Sequence, residues 1–485
     1  MFKRGDDTMR HTFLITLFLS ILFTVAVLAL PSDAQADVTR YVKVGGTGDG
    51  TSWATASGTL QAMIDAVELA GGGTVCVASG TCTPSTEVGG IGDRYRTFQM
   101  KNEVGVYGGF PSTGSPSWAH RDWEVFETIL SGEIGNPGTI SDNCYHIVTF
   151  ANEFLPVLGV EIDGLTIANG NASGEYLCSG AAGILNRRSA NSFTINNCVI
   201  RDNNAYGYGA GASLGSDWDP FFESGSIILT NCVFKNNKAG FAGGAISIGT
   251  KLLKMETCTF VSNTASHGGA LHFNQGFATI TDCEFIDNYA RVEGGAVNTD
   301  WLSDPIFVNC LFLSNDTLGN GGALAAISNS EPVYINCTFT KNTALHGKTL
   351  VAYDKILPSD STIKIVNSIL WNGGDEIWNE TDSTISITDS LINPGSPVFP
   401  GLGNISGTPM FVNPGSGDFH LLPNSPCIDS GSNAAILATG VTEDFEGDPR
   451  IINGTVDMGA DEVLLSSWSP WIYDENDNGK INYAE

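Results

Sequence analysis

The chain has 485 residues and a formal net charge of −29, with 15% charged and 42% hydrophobic residues. That apolar share is enough for a core and argues against disorder. With 23 Lys and Arg in all, the chain lacks the clustered cations that phosphate binding needs, which excludes nucleic acid as a partner. Its 58 glycines, without collagen's three-residue period, point to many tight turns and a β-rich fold.

Residues 1–36 read as a Sec-type signal peptide. Lys3, Arg4 and Arg10 precede an apolar run from Phe13 to Leu30, and Ala34-Gln35-Ala36 is an A-x-A cleavage pattern. The alternative is an uncleaved membrane anchor, and the cleavage pattern favours the signal. The mature chain then carries no transmembrane segment, and the protein is expected outside the cell or on its outer surface. Residues 37–157 are expected to form an N-terminal cap and the first coils, with an insertion. Within them Ser57 or Thr59 starts an amphipathic helix through Leu60, Met63, Ile64, Val67 and Leu69, and Gly71-Gly72-Gly73 ends it. Thr74 to Val77 reads as a first strand. The stretch from Tyr107 through Arg121-Asp122-Trp123 to Gly132 reads as an inserted structural flap.

Residues 158–395 carry a repeat. Asn231-Cys232-Val233-Phe234-Lys235-Asn236-Asn237 leads to Gly243-Gly244-Ala245-Ile246. The pattern returns at Cys258, Phe260, Asn263 and Gly268-Gly269-Ala270-Leu271, and again from Cys283, Cys310 and Cys337; an earlier copy begins at Cys198. The six cysteines are 34, 26, 25, 27 and 27 residues apart, which fits stacked coils with loops of unequal length. Each coil offers three short strands, as at Phe277–Thr281, Glu284–Ile286 and Ala296–Thr299. About nine coils, at roughly 4.8 Å each, give a rod near 40 Å before its caps.

Stacking assigns roles to the repeated residues. Phe234, Phe260, Phe285, Phe312 and Phe339 form one internal ladder. The six cysteines form a second, as buried free thiols, because parallel Cβ vectors suit a disulfide poorly. Asn203, Asn237, Asn263, Asn288, Asn315 and Asn342 form an amide ladder at one bend, and the paired glycines make the other. Of the remaining cysteines, Cys76 and Cys82 are the best local pair, while the states of Cys144, Cys178 and Cys427 stay open.

The paired motif Phe-x-x-Asn and Gly-Gly-Ala-(Ile/Leu/Val) closely resembles the repeats of bacterial polymorphic outer-membrane proteins. More broadly it resembles secreted right-handed parallel β-helix proteins. The implied fold is all-β: a pectate-lyase-like right-handed parallel β-helix with an N-terminal helical cap. The stretch from Gly50 to Ala56 with the following helix looks like the cap of pectate-lyase-type β-helices. Members of the family are surface-exposed, and many are adhesins or autotransporters. Nothing after residue 395 reads as membrane-barrel strands.

Residues 396–463 read as final coils and a cap. Ser425-Pro426-Cys427 and Asp444-Phe445-Glu446-Gly447-Asp448 resemble the C-terminal regions of secreted β-helix proteins, and their acidic residues read as solvated turns rather than a cation site. Residues 464–485 end in a calcium-loop pattern. Asp474, Asn476, Asn478, Lys480, Asn482 and Glu485 occupy positions 1, 3, 5, 7, 9 and 12 of an EF-hand loop, with Gly479 at position 6. The loop resembles half of a dockerin and reads as truncated. Ca²⁺ is the expected cofactor, and a scaffold protein is the expected partner if the loop is complete.

For catalysis, the position before each double glycine gives Ala242, His267, Glu293 and Asn320, then His346 before a single glycine. His267 and Glu293 fall one coil apart and are the candidate acid/base pair, with His272, Asn298 and Asp300 nearby. No Lys or Arg constellation accompanies them, and the repeats are nearly interchangeable. The reading is therefore a non-catalytic, adhesin-like protein binding a polysaccharide, cell-surface glycan or surface protein. The alternative is a polysaccharide lyase or glycoside hydrolase acting in a groove along the β-helix.

Overall fold

A computed structural model describes residues 38–464, apart from 151–155, 175–179, 188–190, 216–224, 250–252, 354–360, 381–382 and 397–398. The signal-peptide stretch and the loop of Asp474, Asn476, Asn478, Lys480, Asn482 and Glu485 lie outside the described residues. No helix among the described residues is long and apolar enough to cross a membrane.

The chain winds as a right-handed parallel β-helix. A first sheet of 12 strands runs from Val38–Val42 to Thr384–Thr388. A second, also of 12, runs from Gly80–Cys82 to Ile405–Ser406. A third of 11 runs from Thr86–Glu87 to Ile377–Asn379, its first strand pairing antiparallel. The repeat supplies the nine coils expected of it, from Val160–Asp163 to Thr384–Thr388 in the first sheet, and residues before 158 add three rungs that lack the Asn and Gly-Gly-Ala signature. Twelve rungs at about 4.8 Å span roughly 53 Å. Three strands per coil were expected, and the central coils add a fourth. These fourth strands form a six-stranded ladder from Asn171–Ala172 to Asp316–Thr317.

The helix Leu60–Leu69 covers the N-terminal end, burying Leu60, Met63, Ile64 and Val67. Thr59 is its N-cap by position, and Ser57 Oγ accepts from the Thr59 amide. Inside the coils one file of the second sheet runs Leu130, Ile167, Ile200, Phe234, Phe260, Phe285, Phe312, Phe339 and Leu370. The phenyl rings stack with centroids 4.7–5.2 Å apart and interplanar angles of 5–15°. Neighbouring thiols donate to carbonyls, as Cys283 Sγ does to Thr281 O at 3.2 Å, and burial pushes the Cys232, Cys283 and Cys310 thiols up. Ser368 and Ser390 take over the thiol's place, donating to Val366 O and Thr388 O. Cys76 and Cys82, the expected local pair, are separate buried thiols, as are Cys144 and Cys427.

The amide ladder is complete in its bonding. Each Asn Nδ2 donates to the Oδ1 one coil on, at 2.9–3.1 Å from Asn203 through Asn342 to Asn372. Each also donates to a carbonyl one coil back, and each Oδ1 accepts a backbone N–H, as between Asn263 and Asn288. The ladder ends on Glu376, whose fully buried carboxylate accepts from Asn372 N, Asn372 Nδ2, Gly374 N and Thr349 Oγ1. At the opposite bend Gly268 has φ +59°, and a Cβ on Gly269 would come within 2.2 Å of Gly295 O. The pair thus combines a left-handed turn with a close backbone approach between coils.

The segment 396–463 supplies the last rung and then leaves the stack. From Phe411 on it packs along the flank. Phe411, Phe419, Leu421, Met458 and Val463 cover the outward-facing Leu311, Leu313, Ile369 and Trp371 of the second sheet. Asn309, Asn336 and Asn367 tie it down through Glu443 O, Asp457 O and Ser432 O. Its acidic residues are not the solvated turns expected from composition. Asp444, Asp457, Asp461 and Glu462 are buried, because backbone amides and Arg450 satisfy them.

Candidate functional site

The sharp Gly-Gly turn folds the fourth-strand ladder against the third sheet, so that residues on both sides of the turn meet in one corner. Isolated bridges and short strands place Tyr208, Ala242, His267, Glu293, Asn320 and His346 on consecutive coils of one file. The facing file, on the third sheet, runs Ser247, His272, Asn298, Ala325, Val351 and Trp378. Its side chains point outward by alternation, since Leu271 and Phe273 on either side of His272 are in the core.

The structure brings His267 and Glu293 together, with His267 Nε2 3.6 Å from Glu293 Oε1. Glu293 is 3% exposed and receives Asn298 Nδ2 at 3.4 Å. His272 is also buried, and Tyr208 lies with its ring centroid 6.0 Å from the His272 ring. Asp300, at the end of the same strand as Asn298, accepts from the Trp301 amide. A second pair follows along the file, where exposed His346 Nδ1 is 3.6 Å from Asp375 Oδ2.

Aromatic rings flank both pairs, and sequence reasoning did not single them out. Tyr208, Phe241 and His267 form a chain with centroids 4.9 and 5.2 Å apart. Phe241 is 48% exposed and Tyr206 75%. Farther along, Trp378 stacks on His346 at 4.3 Å and 19° while remaining 37% exposed. The available signal was aromatic residues beside the double-glycine turn, at positions no core ladder uses.

The file from Tyr208 to His346 carries one carboxyl group, Glu293, and Asp375 lies beside its last member. What it presents is a row of hydrogen-bonding groups between two aromatic platforms.

A further polar cluster lies on the flank. His420 is held between Asp418 Oδ1 at 2.6 Å and Glu446 Oε1 at 2.5 Å. Burial works against the charged ring, but these two hydrogen bonds outweigh it and raise its pKa to about 11. Burial raises Asp461 to about 7 and Glu462 to about 8. His420, Glu446 and Asp461 are close enough to share a metal ion, as are Asp444, Glu446 and Asp448.

A family model for the right handed beta helix region matches residues 224–392. That stretch lies within the three long parallel sheets of the right-handed β-helix. Among solved structures, pectate lyase Pel9A is similar at a TM-score of 0.51 and 11% identity, covering 89% of this chain and 100% of the lyase. The pectin methylesterase from Aspergillus niger has a TM-score of 0.35 and 12% identity, covering 75% of this chain and 90% of its own. The tailspike protein of E. coli bacteriophage HK620, solved with a pentasaccharide, has a TM-score of 0.37 and 11% identity, covering 72% and 62%. At 11% identity the likeness to the lyase is one of fold. No curated protein matches the sequence.

Proposed function

We propose that the protein is an exported, cell-surface or extracellular β-helix that binds a polysaccharide lengthwise along the corner file, without catalysis. The observation that carries this reading is the pair of exposed aromatic platforms, Tyr208–Phe241 and Trp378, with His267, Glu293, Asn320 and His346 between them. Tyr208 and Trp378 are six coil steps apart, roughly 29 Å at the strand spacing. One coil step is close to one sugar residue of an extended chain, and the partly exposed His267, Asn320 and His346 face it from their coils, with Glu293 buried behind them. Aromatic faces accept the apolar face of a pyranose, while amide, imidazole and carboxylate groups hydrogen-bond its hydroxyls. The net charge of −29 favours a neutral glycan over a polyanion.

Residues 474–485 are part of the same proposal. Their oxygen ligands would hold Ca²⁺ and, if the loop is complete, offer a docking element to a scaffold protein. Affinity electrophoresis through gels containing neutral or acidic polysaccharides tests the binding reading. Retardation by a neutral glycan, lost in Phe241→Ala and Trp378→Ala, supports it; equal mobility in every gel refutes it. The second reading, a lyase or hydrolase, draws support from the short approach of His267 to buried Glu293. Reducing-end or unsaturated-uronate release that disappears in His267→Ala and Glu293→Ala would replace binding with turnover.

A further inference from the structure

The loop 133–143 is a closed excursion between two rungs. Cys144 N donates to Gly132 O at 2.9 Å, and Gly132 N to Ala168 O at 2.9 Å, so the loop leaves and returns at one point of the stack. Two carboxylates are folded into it. Glu133 Oε2 accepts Gly138 N at 3.1 Å, and Asp142 Oδ2 accepts Asn136 N at 2.9 Å. Their other oxygens, Glu133 Oε1 and Asp142 Oδ1, are buried without a hydrogen-bond donor.

An independent observation comes from Asn143, which is 1% exposed. Its Nδ2 donates to Asn169 O at 2.7 Å, and its Oδ1 is buried with no donor. Asn169 O lies against Gly132, so the Asn143 amide sits at the neck of the loop, beside the point where Glu133 departs. Nearby cations do not serve these oxygens. Arg94 is bonded to Asn143 O, Asn171 O and Ser173 Oγ, and Arg96 pairs with Asp93. Among the described residues neither Glu133 nor Asp142 is in an ion pair. An open cavity of about 440 Å³, lined in part by Asp93, Arg94, Gly135, Asp142 and Tyr145, lies beside Asp142 and has room for water ligands.

Three unserved acceptor oxygens in one closed loop, two of them on carboxylates, are the donor set of a hard cation. We propose that the loop 133–143 is a Ca²⁺ site, with Glu133, Asp142 and Asn143 supplying side-chain oxygens and water from the cavity completing the shell. Ca²⁺ takes six to eight oxygens in irregular geometry, whereas Mg²⁺ demands a regular octahedron. The site is separate from residues 474–485, so it stands if that loop fails.

The test is Ca²⁺ titration calorimetry on the full chain carrying Asp474→Ala, with Glu133→Gln or Asp142→Asn added. Binding in the 10⁻⁴–10⁻³ M range typical of extracellular modules is expected, weakened at least tenfold by either addition. No Ca²⁺ binding by the Asp474→Ala chain, or equal binding after both additions, overturns the proposal. Terbium luminescence supplies a readout that does not depend on those variants. Tyr95 and Tyr145 line the same cavity and would both sensitise Tb³⁺ there, so the double change Tyr95→Phe and Tyr145→Phe should dim it with affinity unchanged; undimmed emission counts against the site.

Discussion

Replacing Asn288 by alanine tests the amide ladder as the element that holds the bend. Asn288 is fully buried, and its side chain makes four hydrogen bonds. Nδ2 donates to Phe260 O and Asn315 Oδ1, and Oδ1 accepts Asn263 N and Asn263 Nδ2. Asn315 Oδ1 keeps the Asn288 amide, and Asn263 Nδ2 keeps Phe234 O. Phe260 O and the Asn263 amide lose these partners inside a dry bend. Each such buried polar group costs about 1–3 kcal/mol, so Asn288→Ala should destabilise the chain by about 2–6 kcal/mol. Urea denaturation followed by far-UV circular dichroism measures it, with Lys254→Ala as control. Lys254 is half exposed and pairs with Glu256 at the surface, where a pair contributes about 0–1 kcal/mol. Coils couple mainly to their neighbours, so the transition should also broaden as stacks on either side of Asn288 uncouple. An Asn288→Ala midpoint equal to that of Lys254→Ala would refute the argument.

Phe285→Ala removes a ring stacked on both sides, and thermal or urea unfolding should show a loss of about 3–5 kcal/mol. The six ladder cysteines should be silent to Ellman's reagent in the native chain and titrate as free thiols in guanidinium; prompt native reaction would contradict their burial. The flank should weaken as pH rises. The folded pKa values of Asp461, about 7, and Glu462, about 8, lie above their ordinary ones, so their contribution is full below about pH 4 and lost through 7 and 8. His420, raised to about 11, has the same sign from 6.5 upward. Limited proteolysis of residues 408–463 should therefore be faster at pH 9 than at pH 5, by an equilibrium shift on the order of a few kcal/mol, and the opposite order would contradict the assignment.

The central coils were legible because stacking gives the same environment every 25–34 residues. Phe260, Asn263 and Gly268 each answer to a fixed position in that environment, so one copy explains the others. The first rungs, such as Val104–Phe110, were harder. They build the same sheets with ordinary alternation and no ladder residue to mark the bend. The fourth strand was read as turn because it is two residues long in several coils. The flank was missed although its footprint is in the repeat. Leu311 and Leu313 are outward positions where the preceding coils carry Lys235 or Glu284, and an apolar outward pair requires cover. The adjacency of His267 and Glu293 followed from counting coils, while the aromatic platforms beside them needed the fold, since nothing local separates an exposed ring from a core one.

Glu376 gives the amide ladder a direction. Every Nδ2 from Asn203 onward points to the following coil, so the amide dipoles add head to tail, and the donor end arrives at a carboxylate. Any coil between Asn237 and Asn342 supplies one donor and one acceptor to the file, so a duplicated or deleted coil there leaves the file balanced. Beyond Asn372 the Oδ1 of a further asparagine would meet a donor already committed, since Asn372 Nδ2 donates to Thr349 Oγ1 and Glu376 Oε2. The protein thus has a modular interior with a fixed terminator, and its length can change by whole coils upstream of Glu376 without rewriting either end.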